Sequence, residues 1–289
     1  MVKHVMRVAL IALLMGGFLS ACGNDKTSSN ATATTTAAAK VPDLSIVGKD
    51  FSYVAPSSVQ AGFVKVSLDN QGKEDHQAQL LRINDGVTPQ QLQEAQKDTT
   101  GEKLLSMTTV KGGVNGIAPG TKQSAVTKLD PGQYLMLCFL QGADGVAHVA
   151  KGMVSPFTVS APASTAGEPK YDYQVDAKDF QFTLPAIKSG EHTLEFKNNG
   201  PSPHEMTLYK VAAGKTAADV QKALTGATPA TGPPPFAGAG GGSGIAPGTS
   251  TFPTINFDAG TYVVTCFVPD PKTGKPHIAL GMFSSFDVK

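Results

Sequence analysis

The sequence predicts an all-β chain built from two tandem domains, and three observations carry that expectation. Four residues recur at fixed spacing: His76 and Cys138 return 128 positions later as His204 and Cys266, while His148 and Met153 return 129 positions later as His277 and Met282. Three blocks around them repeat in the same order. They are Asn70-x-Gly72-x3-His76 against Asn198-x-Gly200-x3-His204, Gly116-Ile-Ala-Pro-Gly-Thr121 against Gly244-Ile-Ala-Pro-Gly-Thr249, and Gly132-Gln-Tyr134-x3-Cys138-Phe139 against Gly260-Thr-Tyr262-x3-Cys266-Phe267. A period this long signals duplicated domains and not solenoid units. The composition, with 31 Gly, 20 Pro and no Trp, suits a turn-rich β protein.

Taken in order, the chain opens with Lys3, His4 and Arg7 ahead of an apolar run from Val8 to Phe18. That run is too short to span a membrane and has the length of a signal-peptide core. Leu19-Ser20-Ala21-Cys22 resembles a bacterial lipobox, so residues 1–21 are expected to be removed and Cys22 to carry lipid. The stretch from there to residue 40 is rich in Asn, Ser, Thr and Ala and cannot bury a core, so it is expected to be a tether. The two domains then cover 41–160 and 168–289, joined by a linker at 161–167, each near the usual domain size.

Within each domain, Phe63–Asp69 and His192–Lys197 alternate apolar and polar residues, as half-buried strands do. Asn-x-Gly turns the chain and delivers the first His to the next strand, Gln77–Arg82 or Glu205–Lys210. Short helices are expected at Thr88–Gln96 and Thr216–Leu224, each opening on a Thr suited to cap it. The Gly- and Pro-rich stretch Gly232–Gly244 reads as a loop. Tyr262–Cys266 reads as a strand carrying its thiol to a sheet edge, followed by a hairpin that returns with His277 and Met282.

Two imidazoles, a thiolate and a thioether form the donor set of a mononuclear blue-copper site. Zinc would accept the His and Cys but has no use for the thioether present in both copies. With Cys22 assigned to lipid, Cys138 and Cys266 remain, and a disulfide between equivalent positions of separate domains would need those strand ends to abut. Coordination protects a thiol better in an oxidising compartment. Of the remaining His, His4 leaves with the leader, and His192 at a strand start is accounted for by exposure to solvent.

The Asn-x-Gly-x3-His segment, the Gly-x-Tyr-x3-Cys strand end and the His-x4-Met hairpin resemble the cupredoxins, the Greek-key β-sandwich proteins related to plastocyanin and azurin. The resemblance covers nearly all of 41–160 and 168–289. It implies two Greek-key β-sandwiches with short helical insertions, each binding one copper. The ligands it implies are His76, Cys138, His148 and Met153 in the first domain and His204, Cys266, His277 and Met282 in the second. The sequence departs from the family pattern in its Cys-to-His intervals of ten and eleven residues, and in Gln77 and Glu205, where an Asn often ties the ligand loops together. Pro276 precedes His277 where Ala147 precedes His148, which predicts a better preorganised second site.

Without the leader the chain has 22 basic and 23 acidic residues, so it lacks the basic field that nucleic acid requires. His-x-His pairs, a His beside the Cys, Cys-x3-Cys and Gly-x-Ser-x-Gly are all missing. The expectation is therefore an extracytoplasmic, lipid-anchored protein that passes single electrons to an unidentified redox partner and is not an enzyme. A copper storage or delivery module, and a structural sandwich without metal, remain alternatives.

Overall fold

The computed structural model describes residues 41–95, 102–162, 166–226 and 233–289. The expected signal segment 1–21, Cys22 with its expected lipid, the expected tether, Gln96 and part of the expected linker lie outside these residues. Among the described residues no helix is long and apolar enough to cross a membrane.

The first repeat runs β1 (Asp43–Lys49), β2 (Ser52–Val54), β3 (Ser58–Gln60), β4 (Gly62–Asn70), β5 (His76–Ile83), α1 (Pro89–Ala95), α2 (Glu102–Ser106), β6 (Thr108–Ile117), β7 (Lys122–Leu129), β8 (Gly132–Leu137) and β9 (Val154–Ser160). The second runs β10 (Tyr173–Lys178), β11 (Gln181–Thr183), β12 (Gly190–Asn198), β13 (His204–Val211), α3 (Ala217–Leu224), β14 (Phe236–Ile245), β15 (Ser250–Phe257), β16 (Gly260–Thr265) and β17 (Phe283–Val288). Each repeat is a β-sandwich with its own apolar core. Leu44, Val64, Val66, Leu68, Leu80 and Met136 fill the first, and Val175, Leu194, Phe196, Leu208, Phe257 and Val264 fill the second. Alternation places these side chains inward, and each fully buried aliphatic one contributes roughly 1.5–3 kcal/mol of transfer free energy.

The two sandwiches share their sheets. One sheet has the order β11-β10-β12-β15-β7-β4-β1-β2, and the other β17-β16-β13-β14-β6-β5-β8-β9-β3. The repeats meet where β15 pairs antiparallel with β7 and β14 with β6, like strand against like strand. This arrangement relates the repeats by an approximate two-fold axis, the hydrogen-bonded equivalent of an isologous dimer interface.

The stretch read as a loop, Gly232–Gly244, is instead occupied from Phe236 onward by β14, an interior strand between β13 and β6. Glycine serves here because neighbouring groups leave no space for a side chain. A Cβ on Gly241 would strike the Met206 carbonyl, and one on Gly242 would sit 2.9 Å from Thr251. Two glutamines of the first repeat grip the same backbone. Gln79 donates to the Gly244 carbonyl at 3.0 Å and accepts from its N–H at 2.6 Å, while Gln123 does the same to Gly241 at 2.9 and 3.2 Å. Composition alone signals a loop; the interface between the repeats makes the segment a strand.

The capping threonines act as expected. Thr216 accepts from the Asp219 N–H while Asp219 accepts from the Thr216 N–H, and Thr88 exchanges the equivalent bonds with Gln91. α1 and α2 cover the outer face of β5 and β8 through Ala95, Leu104, Leu81 and Leu135, and α3 covers β13 and β16 through Val220, Tyr209 and Val263. β5 and β13 are therefore buried on both faces over most of their length. His192 departs from the exposure expected of it: it lies within β12, half-buried, with its ring 4.9 Å from that of Tyr173.

Candidate metal centres

β5 and β13 each begin with a histidine, His76 and His204, placed there by the preceding Asn turn. Asn70 accepts from the Gly72 N–H at 2.9 Å and donates to the Glu74 and Ile117 carbonyls, closing the turn. Asn198 repeats the arrangement with Gly200, Ser202 and Ile245. Cys138 and Cys266 follow the ends of β8 and β16. β16 lies between β13 and β17, so the second thiol sits at the end of an inner strand and not at a sheet edge. One-turn 3-10 helices at His148–Lys151 and His277–Leu280 bring in the second histidines. Each turn then returns the Met backbone to its own His, with Met153 and Met282 N–H donating to the His148 and His277 carbonyls at 2.9 Å.

The fold brings His76, Cys138 and His148 together, and likewise His204, Cys266 and His277, each set with its donor atoms within 4.8 Å of one another. In the first, the two imidazole Nδ1 atoms stand 3.1 Å apart and Cys138 Sγ lies 3.4 Å from His148 Nδ1. In the second the same separations are 3.1 and 3.4 Å, with Cys266 Sγ 4.0 Å from His204 Nδ1. Donors held tetrahedrally on one ion at ordinary metal–ligand distances stand roughly 3.3–3.6 Å apart. All six side chains are fully buried, as are Met153 and Met282, and Met282 packs in the same cluster as Cys266. Both thiols are free, as expected.

Carboxylates decide how the imidazoles are presented. His76 Nε2 meets Asp50 at 2.9 Å, His148 Nε2 meets Glu74 at 2.9 Å, and His204 Nε2 meets Asp179 at 2.7 Å. A carboxylate fixes the proton on Nε2 and leaves Nδ1 a bare lone pair. In the first site two such lone pairs face each other at 3.1 Å, an arrangement that a cation held by both would relieve. The thiols point to the same requirement. Burial pushes Cys138 up to about 12 and Cys266 well above its ordinary value, with the Glu205 carboxylate adding to the second. Burial also holds His76 and His204 below the usual imidazole range, and takes His277 down to about 4 with the nearby His204 adding to it. Neutral imidazoles and a thiol that can ionise only beside a cation fit a metal ion, and the buried Met in each copy fits copper.

Gln77 and Glu205 perform the tying role that their divergence from Asn put in question. Gln77 accepts from the N–H of Phe139 at 3.0 Å, and Glu205 from that of Phe267 at 2.9 Å, each locking the residue after the ligand Cys to the strand of the first His. The Cys-to-His segments are closed by bridges between Gln141 and Ala147 and between Pro269 and Pro276. Ala147 and Pro276 hold the same backbone, φ −61°, ψ 138° against φ −62°, ψ 144°, so Pro276 confers no distinct geometry.

Sequence reasoning missed Asp50, Glu74 and Asp179. The repeated tripeptide Lys49-Asp50-Phe51 against Lys178-Asp179-Phe180 marks two of them; it also supplies the rings that lie on the second histidines, Phe51 4.8 Å from His148 and Phe180 4.9 Å from His277. Glu74 had no such signal, since Ser202 holds its place in the second repeat.

No family model matches the chain, and no curated protein matches it. Among solved structures, auracyanin from Roseiflexus castenholzii in its dithionite-reduced form is similar at 22% identity over 40% of this chain and 95% of its own, with a TM-score of 0.26. A copper-containing nitrite reductase from Thermus scotoductus is similar at 14% identity over 86% of this chain and 61% of its own, with a TM-score of 0.23. The McoA multicopper oxidase variant from Aquifex aeolicus is similar at 10% identity over 86% and 66%, with a TM-score of 0.28.

Each repeat is cupredoxin-like in fold. Each sandwich brings a His, a Cys and a second His together in a set that could hold a metal ion, and copper is the ion that fits. One expectation is corrected at this point. The chain was expected not to be an enzyme, but structures similar over 86% of its length include a copper-containing nitrite reductase and multicopper oxidases, which are copper enzymes.

Proposed function

We propose that both domains hold type 1-like copper and pass single electrons, with His76, Cys138, His148 and Met153 as ligands in the first and His204, Cys266, His277 and Met282 in the second. The observation that carries this reading is the pair of imidazole Nδ1 atoms converging 3.1 Å apart beside a buried thiol in each repeat. Copper held there supplies a one-electron Cu(I)/Cu(II) couple, because thiolate and thioether favour the reduced ion and imidazole suits both states. The protein supplies rigidity. Asp50, Glu74 and Asp179 fix ring orientation, Gln77 and Glu205 fix the strand after each Cys, and Phe51 and Phe180 exclude water from the second histidines. A storage or delivery role calls for loops that open, whereas these are tied at Gln141–Ala147 and Pro269–Pro276, which favours electron transfer. Copper-loaded protein is expected to show an intense thiolate-to-copper charge-transfer band that bleaches and returns on reduction and reoxidation. Colourless, readily chelated copper would sink the reading.

We also propose that 41–160 and 168–289 are the two domains, and that the chain works outside the cytoplasm, anchored through lipid on Cys22 and exchanging electrons with a partner protein. The lipobox-like Leu19-Ser-Ala-Cys22 supports this. Cys22→Ser is expected to release the protein from membranes while leaving its copper sites intact; continued membrane association after a salt wash would overturn the anchor.

A further inference from the structure

Buried polar residues run between the two metal centres. Gln77 accepts from the N–H of Phe139, the residue after Cys138, at 3.0 Å, and Glu205 accepts from that of Phe267 and donates its own backbone N–H to the Cys266 thiol at 3.4 Å. Their side chains point at each other across the two-fold seam, and Asn115 of β6 stands between them. Gln77 Nε2 donates to Asn115 Oδ1 at 3.2 Å. Asn115 Nδ2 donates to Glu205 Oε2 at 3.4 Å and to Thr207 Oγ1 at 2.8 Å. The Gly116 N–H, 2.7 Å from Asn115 Oδ1, fixes which way the amide faces. All four residues are buried.

We propose that Asn115 couples the two copper sites, so that occupation of one changes the affinity of the other. The inference rests on the copper reading above. Burying a carboxylate and two amides in a seam costs free energy that apolar residues would not, and the seam contains a connected chain from the residue after Cys138 to the Cys266 thiol. Filling either site fixes its Cys and, through the N–H of the next residue, the position of Gln77 or Glu205. Among the described residues, Asn115 hydrogen-bonds to both. The two-fold axis offers a second route at Ser243, the counterpart of Asn115, but its hydroxyl is too short and has no hydrogen-bond partner.

A thermodynamic cycle tests this. Copper affinity of the second site is measured in the full chain and in Cys138→Ser, then again with Asn115→Ser in both, a change that installs the residue already tolerated at position 243. Coupling carried by such a network typically amounts to a change of about 2- to 30-fold in affinity. Cys138→Ser is expected to shift the second site by that order, and Asn115→Ser to abolish the shift. Gln77→Met cuts the chain at its other link and gives the same reading should Asn115→Ser not fold. A shift of unchanged size in these backgrounds, or no shift in the parent chain, overturns the coupling while the copper reading stands. Absence of copper uptake by the parent chain overturns both.

Discussion

His148 and His277 occupy the same point of the two repeats, on matching 3-10 turns and under matching phenylalanines, yet their outer nitrogens differ. His148 Nε2 meets Glu74 at 2.9 Å, whereas His277 Nε2 is buried with no hydrogen-bond partner. The cause is one sequence difference, Glu74 against Ser202. The first site thus has carboxylates behind both imidazoles, Asp50 and Glu74, and the second has one, Asp179. Two carboxylates hold both Nε2 protons in place and make both imidazoles stronger donors to Cu(II). In the second site His277 is free to move its proton to Nδ1 and donate to His204, relieving the lone-pair contact when metal is absent. Duplicated donors therefore do not make duplicated sites: the first is expected to bind Cu(II) more tightly and to have the lower potential.

Removing one thiolate should have the largest effect on this comparison. Cys138→Ser and Cys266→Ser are each expected to lower copper content from about two per chain to about one and to abolish one of two charge-transfer bands. The band that remains in each variant then belongs to a known site, and bands that cannot be separated would show the sites to be spectroscopically alike.

Exchanging the outer partner is the direct test. Glu74→Ser should weaken Cu(II) binding at the first site roughly 10- to 100-fold and raise its potential, as loss of a carboxylate behind a ligating His does elsewhere. Ser202→Glu should move the second site the opposite way. Potentials that stay put in both variants would refute the account of the asymmetry.

Acid should affect the metal-free chain through the second site. His277 is held down to about 4 in the folded state, below the ordinary value of 6.5. The unfolded chain then binds the proton more readily, so the stability contributed by keeping this ring neutral is present above about pH 6.5 and is lost as the pH falls toward 4. Thermal unfolding of the metal-free protein should drop over that interval, and less in His277→Phe.

The smallest effect is expected of Pro276→Ala. Because Ala147 holds the same backbone unaided, the substitution should leave copper affinity unchanged and lower stability by about 0.4–1 kcal/mol through the unfolded chain. A marked loss of affinity would restore the preorganisation that the sequence assigned to the proline.

Much of this molecule follows from its sequence taken alone. The duplication, the strands flanking each His and Cys, the capping threonines and the donor types are local or repeated patterns, and side-chain periodicity and ligand chemistry depend on neighbours only weakly. Other features required the tertiary structure, because they depend on groups far apart in the chain. The glycine-rich composition of Phe236–Ile245 signals a loop until Gln79, Gln123 and Thr251 close around it and make it the inner strand β14. Asp50 lies 26 residues from His76 and Glu74 lies 74 from His148, so no spacing rule pairs them. Asn115 and Glu205 belong to different repeats, and only the shared sheets bring one amide within reach of both metal centres.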